Sequence, residues 1–172
     1  MDTHEFEFVL EHAPTDDEID ALFDAGGDDA TVERNDRANT GHAHFDREAP
    51  SLVEALVSAL GTLERAGLRA VAVQSEDLVT LKEIAVRTGR TYESVRLLAL
   101  GARGAGGFPP ALSAQGWSLY SWAQVAEWFA NNGGPKLEVS AYDRTIAAAD
   151  HLVRARALVG AEESRRLAQL VC

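Results

Sequence analysis

The chain is 172 residues long, 46% hydrophobic and 25% charged, with a formal net charge of −11 and a pI near 4.8. That length suits one large domain or two small ones, and the composition is that of an ordinary globular protein. No run of about 18 apolar residues is present to span a bilayer. The opening MDTHEFEFVLEH lacks the basic and apolar regions of a secretory leader. The single cysteine, Cys172, allows neither an internal disulfide nor a cysteine-based zinc site. The expectation is a cytoplasmic protein with no membrane partner.

Charge is unevenly spread. Residues 1–78 hold 19 acidic and 5 basic side chains, a net of −14, whereas residues 79–172 hold 8 acidic and 11 basic, a net of +3. The two parts have opposite signs, so the overall acidity describes neither.

In the acidic part, EFEFVLE alternates: Phe6, Phe8 and Leu10 share one side, Glu5, Glu7 and Glu11 the other. That period of two predicts a strand with one buried face. In TDDEIDALFDAGG, Thr15 and Glu18 form a capping box, Ile19, Leu22 and Phe23 make an apolar stripe, and Gly26 can end the helix. DATVE and GHAHFD read as short strands joined by the polar turn RNDRANT. A second helix follows in PSLVEALVSALGTLERAG, boxed by Ser51 and Glu54, lined by Leu52, Leu56, Leu60 and Leu63 and ended by Gly67; LRAVAV is a last strand. The order βαββαβ predicts a ferredoxin-like α+β domain over residues 1–76, with both helices on one face of an antiparallel sheet. Its other face would carry Glu5, Glu7, Glu11, His42 and His44. A solvated face explains these residues better than a metal site, for want of a third strong ligand at a telling spacing. No metal or cofactor is expected. No nucleophile elbow, phosphate loop or catalytic cysteine context occurs, so the chain is not expected to be an enzyme.

From Thr80 the pattern changes. Thr80 and Glu83 form another capping box, Leu81, Ile84 and Ala85 face a core, and Gly89 supplies a turn. Thr91 caps a second helix, YESVRLLAL, whose Val95 and Leu98 are the buried positions; Gly101 ends it. Two helices about a glycine turn make a helix-turn-helix, with a helical hairpin as the plainer alternative. A glycine-rich tip, a Pro-Pro turn and a short hairpin through Trp117 and Tyr120 follow, then a helix with Ser121 and Gln124 at its start and Val125, Trp128 and Phe129 on its apolar side. Trp117, Trp122, Trp128 and Phe129 read as core rather than as a stacking platform.

The run VTLKEIAVRTGRTYESVRLL, then GGFPPAL, then SLYSWAQVAEWF resembles the winged helix-turn-helix domains of MerR-type regulators and phage excisionases, over about residues 78–132. The whole chain is also similar to a group of uncharacterised bacterial helix-turn-helix proteins with an acidic N-terminal module. The resemblance implies a winged DNA-binding domain at residues 77–136, with the start of the second helix in a major groove. Carried over by position, it puts Thr91, Tyr92, Glu93, Ser94 and Arg96 against base edges. Lys82, Arg87, Arg90 and, in the wing, Arg103 would contact phosphates, and Gly104, Gly106 and Gly107 would let the wing backbone approach.

In the tail, residues 137–172, Ile146, Ala149, Leu152 and Val153 recur at helical spacing, as do Leu167, Leu170 and Val171. These amphipathic helices are expected to pack on the winged domain or on a second copy, which leaves a homodimer open. The function expected is that of a sequence-specific DNA-binding protein, a bacterial transcriptional regulator whose partner is double-stranded DNA. Its acidic domain would modulate binding and take a basic protein or a small ligand. The alternative is a non-enzymatic interaction or DNA-mimic module whose winged fold is only scaffold.

Overall fold

The computed structural model of the chain describes residues 1–113 and 118–170. Trp117 and Val171, both assigned above to apolar faces, lie outside the described residues, as does Cys172. The chain divides into two compact units, one formed by Met1–Gln74 with Thr145–Cys172, the other by Ser75–Arg144.

The first unit is built on a four-stranded antiparallel sheet of order β2-β3-β1-β4, comprising β1 (Asp2–Leu10), β2 (Ala30–Asn35), β3 (Thr40–Ala49) and β4 (Ala70–Val73). β1 pairs along its whole length with β3, from Asp2 opposite Ala49 to Leu10 opposite Gly41. The alternation expected of β1 is present: Phe6, Phe8 and Leu10 are buried, and Phe45 of β3 joins them. The Phe6 and Phe45 rings stack at 5.8 Å, with Phe8 edge-on to both. Helices α1 (Asp16–Asp24) and α2 (Leu52–Arg65) supply Leu22, Leu52, Ala55, Leu56, Ala59 and Leu63 to the same core. Phe23 departs from its expected place: it is 66% exposed, because the stripe on this nine-residue helix is only wide enough to bury Leu22. The buried face also holds a charge. Arg47 of β3, 9% exposed, donates from Nε and Nη2 to the Asp29 carboxylate at 2.7 and 2.6 Å, and further to Thr62 Oγ1 and the Gly26 carbonyl. A guanidinium out of water persists only where such partners satisfy it.

Helix α6 (Ala141–Leu158) was expected on the winged part or on a second copy. From Thr145 onward it belongs instead to the first unit. Ile146, Ala147, Asp150 and Val153 are buried, and Ile146 and Val153 enter the core under the sheet. Leu152, expected on that stripe, is 57% exposed. The reason for the docking lies in β4. As an edge strand it has unpaired backbone donors, and the Asp150 carboxylate accepts the Val73 N–H at 3.0 Å. Past α6 come α7 (Ala161–Leu167) and a 3-10 turn (Ala168–Leu170), where Leu167 and Leu170 are exposed rather than packed.

The second unit begins with β5 (Leu78–Thr80), which pairs antiparallel with β6 (Leu119–Ser121). Helices α3 (Leu81–Thr88), α4 (Tyr92–Ala99) and α5 (Trp122–Asn131) surround a core of Val79, Ile84, Ala85, Val95, Leu98, Tyr120, Val125 and Phe129. Phe108 closes it, edge-on to Tyr120, Trp128 and Phe129. Trp122 and Trp128 pack against this core half-buried, whereas Phe129 is 1% exposed. Thr15–Glu18 and Thr80–Glu83 are complete capping boxes. Ser51 and Ser121 cap their helices by accepting the N–H three residues on. The start of α5 is completed from afar: Asp77 accepts the Ala123 N–H on its carboxylate and the Trp122 N–H on its carbonyl, each at 2.7 Å.

Candidate nucleic-acid interface

α3 and α4 are set by one glycine. Gly89 ends α3 with φ of +64°, a conformation that costs glycine nothing and other residues strain. Thr91 then caps α4, its Oγ1 accepting the Ser94 N–H at 3.2 Å. With Val95 and Leu98 committed to the core, the start of α4 is left facing outward: Thr91, Tyr92 and Glu93 are exposed, and Ser94 and Arg96 are half-buried.

The charges there are organised in pairs. Arg96 donates Nε and Nη2 to both carboxylate oxygens of Glu93, at 2.9 and 2.8 Å. Those hydrogen bonds hold the Glu93 carboxyl below the usual carboxylate range and raise Arg96 further above an ordinary arginine. Arg96 is therefore a braced guanidinium, with part of its donor set already engaged. Arg87 is held too: Nη1 donates to the Glu76 carbonyl at 3.3 Å, the Glu76 carboxylate lies 3.7 Å from Nη2, and the guanidinium sits 4.9 Å from the centre of the Trp122 ring. Lys82, Arg90 and Arg103 have no carboxylate partner among the described residues. Arg90 lies over the Phe129 ring at 5.2 Å, and Arg103 stands in the glycine loop after α4. Arg90 and Arg103 also line the same small recess, bounded by Trp128, Phe129 and Gly104.

The division into units changes the charge account. Ser75–Arg144 holds seven acidic and seven basic residues, a net of zero, while the remainder holds 20 acidic and 9 basic. Of the surplus of +3 counted from residue 79, +2 is cancelled by Glu76 and Asp77, which belong to the second unit, and +1 lies in the C-terminal segment, which belongs to the first. Any attraction of the second unit for a polyanion has to be local.

On the open face of the first unit's sheet, Glu7 and His44 are cross-strand partners, and His42 Nδ1 lies 2.7 Å from a Glu7 carboxylate oxygen. Glu7, Thr31, Glu33, His42 and His44 line a shallow depression. No group of three or more metal-ligating side chains with suitable geometry occurs among the described residues. Glu11 has left this face and pairs with Arg69 at 3.3 Å. No helix is long and apolar enough to cross a membrane among the described residues.

No family model, curated protein or solved structure matches the chain. The functional reading rests on its own geometry.

Proposed function

We propose that Ser75–Arg144 is a winged helix-turn-helix domain that binds double-stranded DNA sequence-specifically, in a bacterial transcriptional regulator whose acidic unit, ferredoxin-like in topology, modulates the binding. The observation that carries this reading is the division of α4. Val95 and Leu98 are buried at 0% and 5%, while its N-terminal turn stands exposed behind a left-handed glycine. A second helix presented in this way can enter a major groove with its first residues against base edges. In that pose Thr91, Tyr92, Glu93, Ser94 and Arg96 meet the bases, and Lys82, Arg87, Arg90 and Arg103 the backbone.

The electrostatics set the expected strength. Each phosphate contact contributes roughly −0.9 to the slope of log K against log salt. Lys82, Arg90 and Arg103 have no carboxylate partner among the described residues, so a slope of about −1.8 is expected if Arg90 and Arg103 share one phosphate and about −2.7 if they do not, whereas freeing Arg87 and Arg96 as well would take it as far as about −4.5. The test is selection from random duplexes on the full chain, followed by a salt titration of the enriched site. A consensus with a slope of about −2 to −3 supports the reading. No enrichment together with no binding at low salt refutes it.

One observation favours a second reading. The second unit has no net charge while the first carries 20 acidic residues against 9 basic. On that basis the acidic unit docks on a basic protein or mimics DNA, and the helix-turn-helix serves as scaffold. Salt-sensitive binding to a basic polypeptide with no duplex binding would select this reading.

A further inference from the structure

The recess lined by Arg90 and Arg103 has properties that set it apart from the rest of this acidic chain. Every other arginine of the second unit stands within reach of a carboxylate: Arg87 at 3.7 Å from Glu76, Arg96 at 2.8 Å from Glu93, Arg144 at 3.9 Å from Glu127. The chain has 27 acidic residues, yet none of them lines this recess. Two arginines that line one small recess without a counter-charge favour an anion between them.

The walls are built to hold those groups in place. Arg90 rests on the Phe129 ring, which restricts its rotamers before anything binds. The loop carrying Arg103 is pinned from below: Trp128 Nε1 donates to the Gly106 carbonyl at 2.9 Å. Gly104 has a φ of +85° that strains any side chain, and a Cβ there would lie 2.8 Å from the Leu98 Cδ2 methyl, which would have to shift. Gly104, Gly106 and Gly107 all have positive φ, of +85°, +75° and +65°. Backbone N–H groups freed in such a turn are the donors that bind anions in phosphate sites. The N–H groups of residues 103–107 donate to no acceptor among the described residues.

We infer that this recess is a phosphate subsite, filled by one backbone phosphate of the bound duplex. The source of the phosphate rests on the DNA-binding reading above; the subsite itself does not. Its volume, about 170 Å³, lies below the roughly 300–1,000 Å³ of pockets that enclose a whole small molecule, which favours a single group over a free metabolite. Two charge-assisted donors, a fixed loop and an apolar floor give such a contact a defined position, so it sets the register of the domain on the duplex.

The experiment uses the full chain and its Arg90→Gln, Arg103→Gln and doubly substituted variants, each checked for unchanged circular dichroism. Arg103 is exposed, so its single variant remains informative if the double one misfolds. Two readouts are taken: the salt slope on the enriched duplex, and amide and Trp128 indole NMR shifts on titration with inorganic phosphate. A slope made shallower by about 0.9 in the doubly substituted variant, the share of one phosphate, supports the subsite with the duplex as its source. Phosphate-induced shifts at Gly104–Gly107 that vanish in the variants, with no change of slope, support the subsite with free phosphate as its source. Neither effect overturns it. Wild-type duplex binding, measured in the same series, reports on the DNA-binding reading separately.

Discussion

Replacing Asp150 tests whether the C-terminal helix belongs to the acidic unit. The Asp150 side chain is 3% exposed and accepts from the Val73 N–H at 3.0 Å and from Arg154 Nε at 2.8 Å. In Asp150→Ala the amide of Val73, a residue that is 0% exposed, loses its acceptor. A buried donor left unpaired costs about 1–3 kcal/mol. Arg154 adds little, since its side chain is 51% exposed and returns to water. The expected loss is therefore about 2 kcal/mol, close to a thirty-fold change in the folded-to-unfolded ratio. Asp150→Asn keeps an oxygen for Val73 and should lose about half as much. Urea unfolding followed by circular dichroism gives the loss, and hydrogen exchange at Val73 locates it. Tryptophan emission is an internal reference, because Trp117, Trp122 and Trp128 all lie in Ser75–Arg144. Unchanged exchange protection at Val73 in Asp150→Ala, or a loss below about 0.5 kcal/mol, would refute the role given to this carboxylate.

Asp77→Ala removes the carboxylate that accepts the Ala123 N–H while the Asp77 carbonyl keeps the Trp122 N–H, and should destabilise the second unit by about 1–2 kcal/mol, seen as an earlier emission transition in urea; Asp77→Asn, which keeps the side-chain oxygen, should cost less. On the DNA-binding reading, Arg96→Ala weakens preferred-site binding roughly ten- to a hundred-fold and relaxes one base position, whereas an equal loss on all duplexes would make Arg96 a phosphate contact. Glu93→Gln releases Arg96 from its carboxylate and should raise binding to random duplex more than to the preferred site; a steeper salt slope is the signature to look for. Glu18 and Glu83 are held below the ordinary carboxylate range, chiefly by the backbone N–H groups of Thr15 and Thr80. A depressed carboxyl stabilises the fold above its unfolded pKa and loses that contribution as pH falls through the folded value. Stability should therefore fall on acidification below about pH 4.5, and Glu83→Gln, which removes the titrating carboxyl, should flatten the profile of the second unit.

What the sequence makes legible is what depends on near neighbours. The capping boxes at Thr15–Glu18 and Thr80–Glu83 span three residues, and the alternation of Phe6, Phe8 and Leu10 is read from one strand. Asp77 stands at the expected domain boundary with no sign of its role, because its partner, Ala123, is 46 positions away, and Asp150 is 77 positions from Val73. The docking of α6 on β4 is hidden for the same reason: an edge strand does not announce which helix will cover it. Phe23 shows the opposite failure, where a correct period assigns a residue to a face too narrow for it. At the candidate site the residue types are legible but their pairings are not. The Glu93–Arg96 pair is the exception, since a spacing of three on one helix brings opposite charges together, and that signal was available. The convergence of Arg90 and Arg103 on Trp128 and Phe129 needs the loop after α4 to fold back, which only the tertiary structure records.

The absence of net positive charge on the second unit bears on how such a domain would find a site. A duplex at a distance senses the whole chain, which carries −11, and is repelled. At contact it senses Lys82, Arg90 and Arg103, none of which has a carboxylate partner among the described residues. Which of the two prevails depends on the screening length, about 30 Å at 0.01 M salt and about 10 Å at 0.1 M. Promiscuous binding has only a few phosphate contacts to set against the repulsion, whereas a preferred site adds base contacts that salt hardly touches. Lowering salt should therefore strengthen preferred-site binding less steeply than the contact count alone implies. For random duplex, affinity should level off or decline below about 0.05 M, where the repulsion reaches furthest. A titration of both duplexes on the full chain from about 0.01 to 0.3 M salt separates the two terms. A random-duplex curve that keeps rising linearly to the lowest salt would mean that the acidic residues exert no restraint, and the modulating role proposed for the first unit would fall with it.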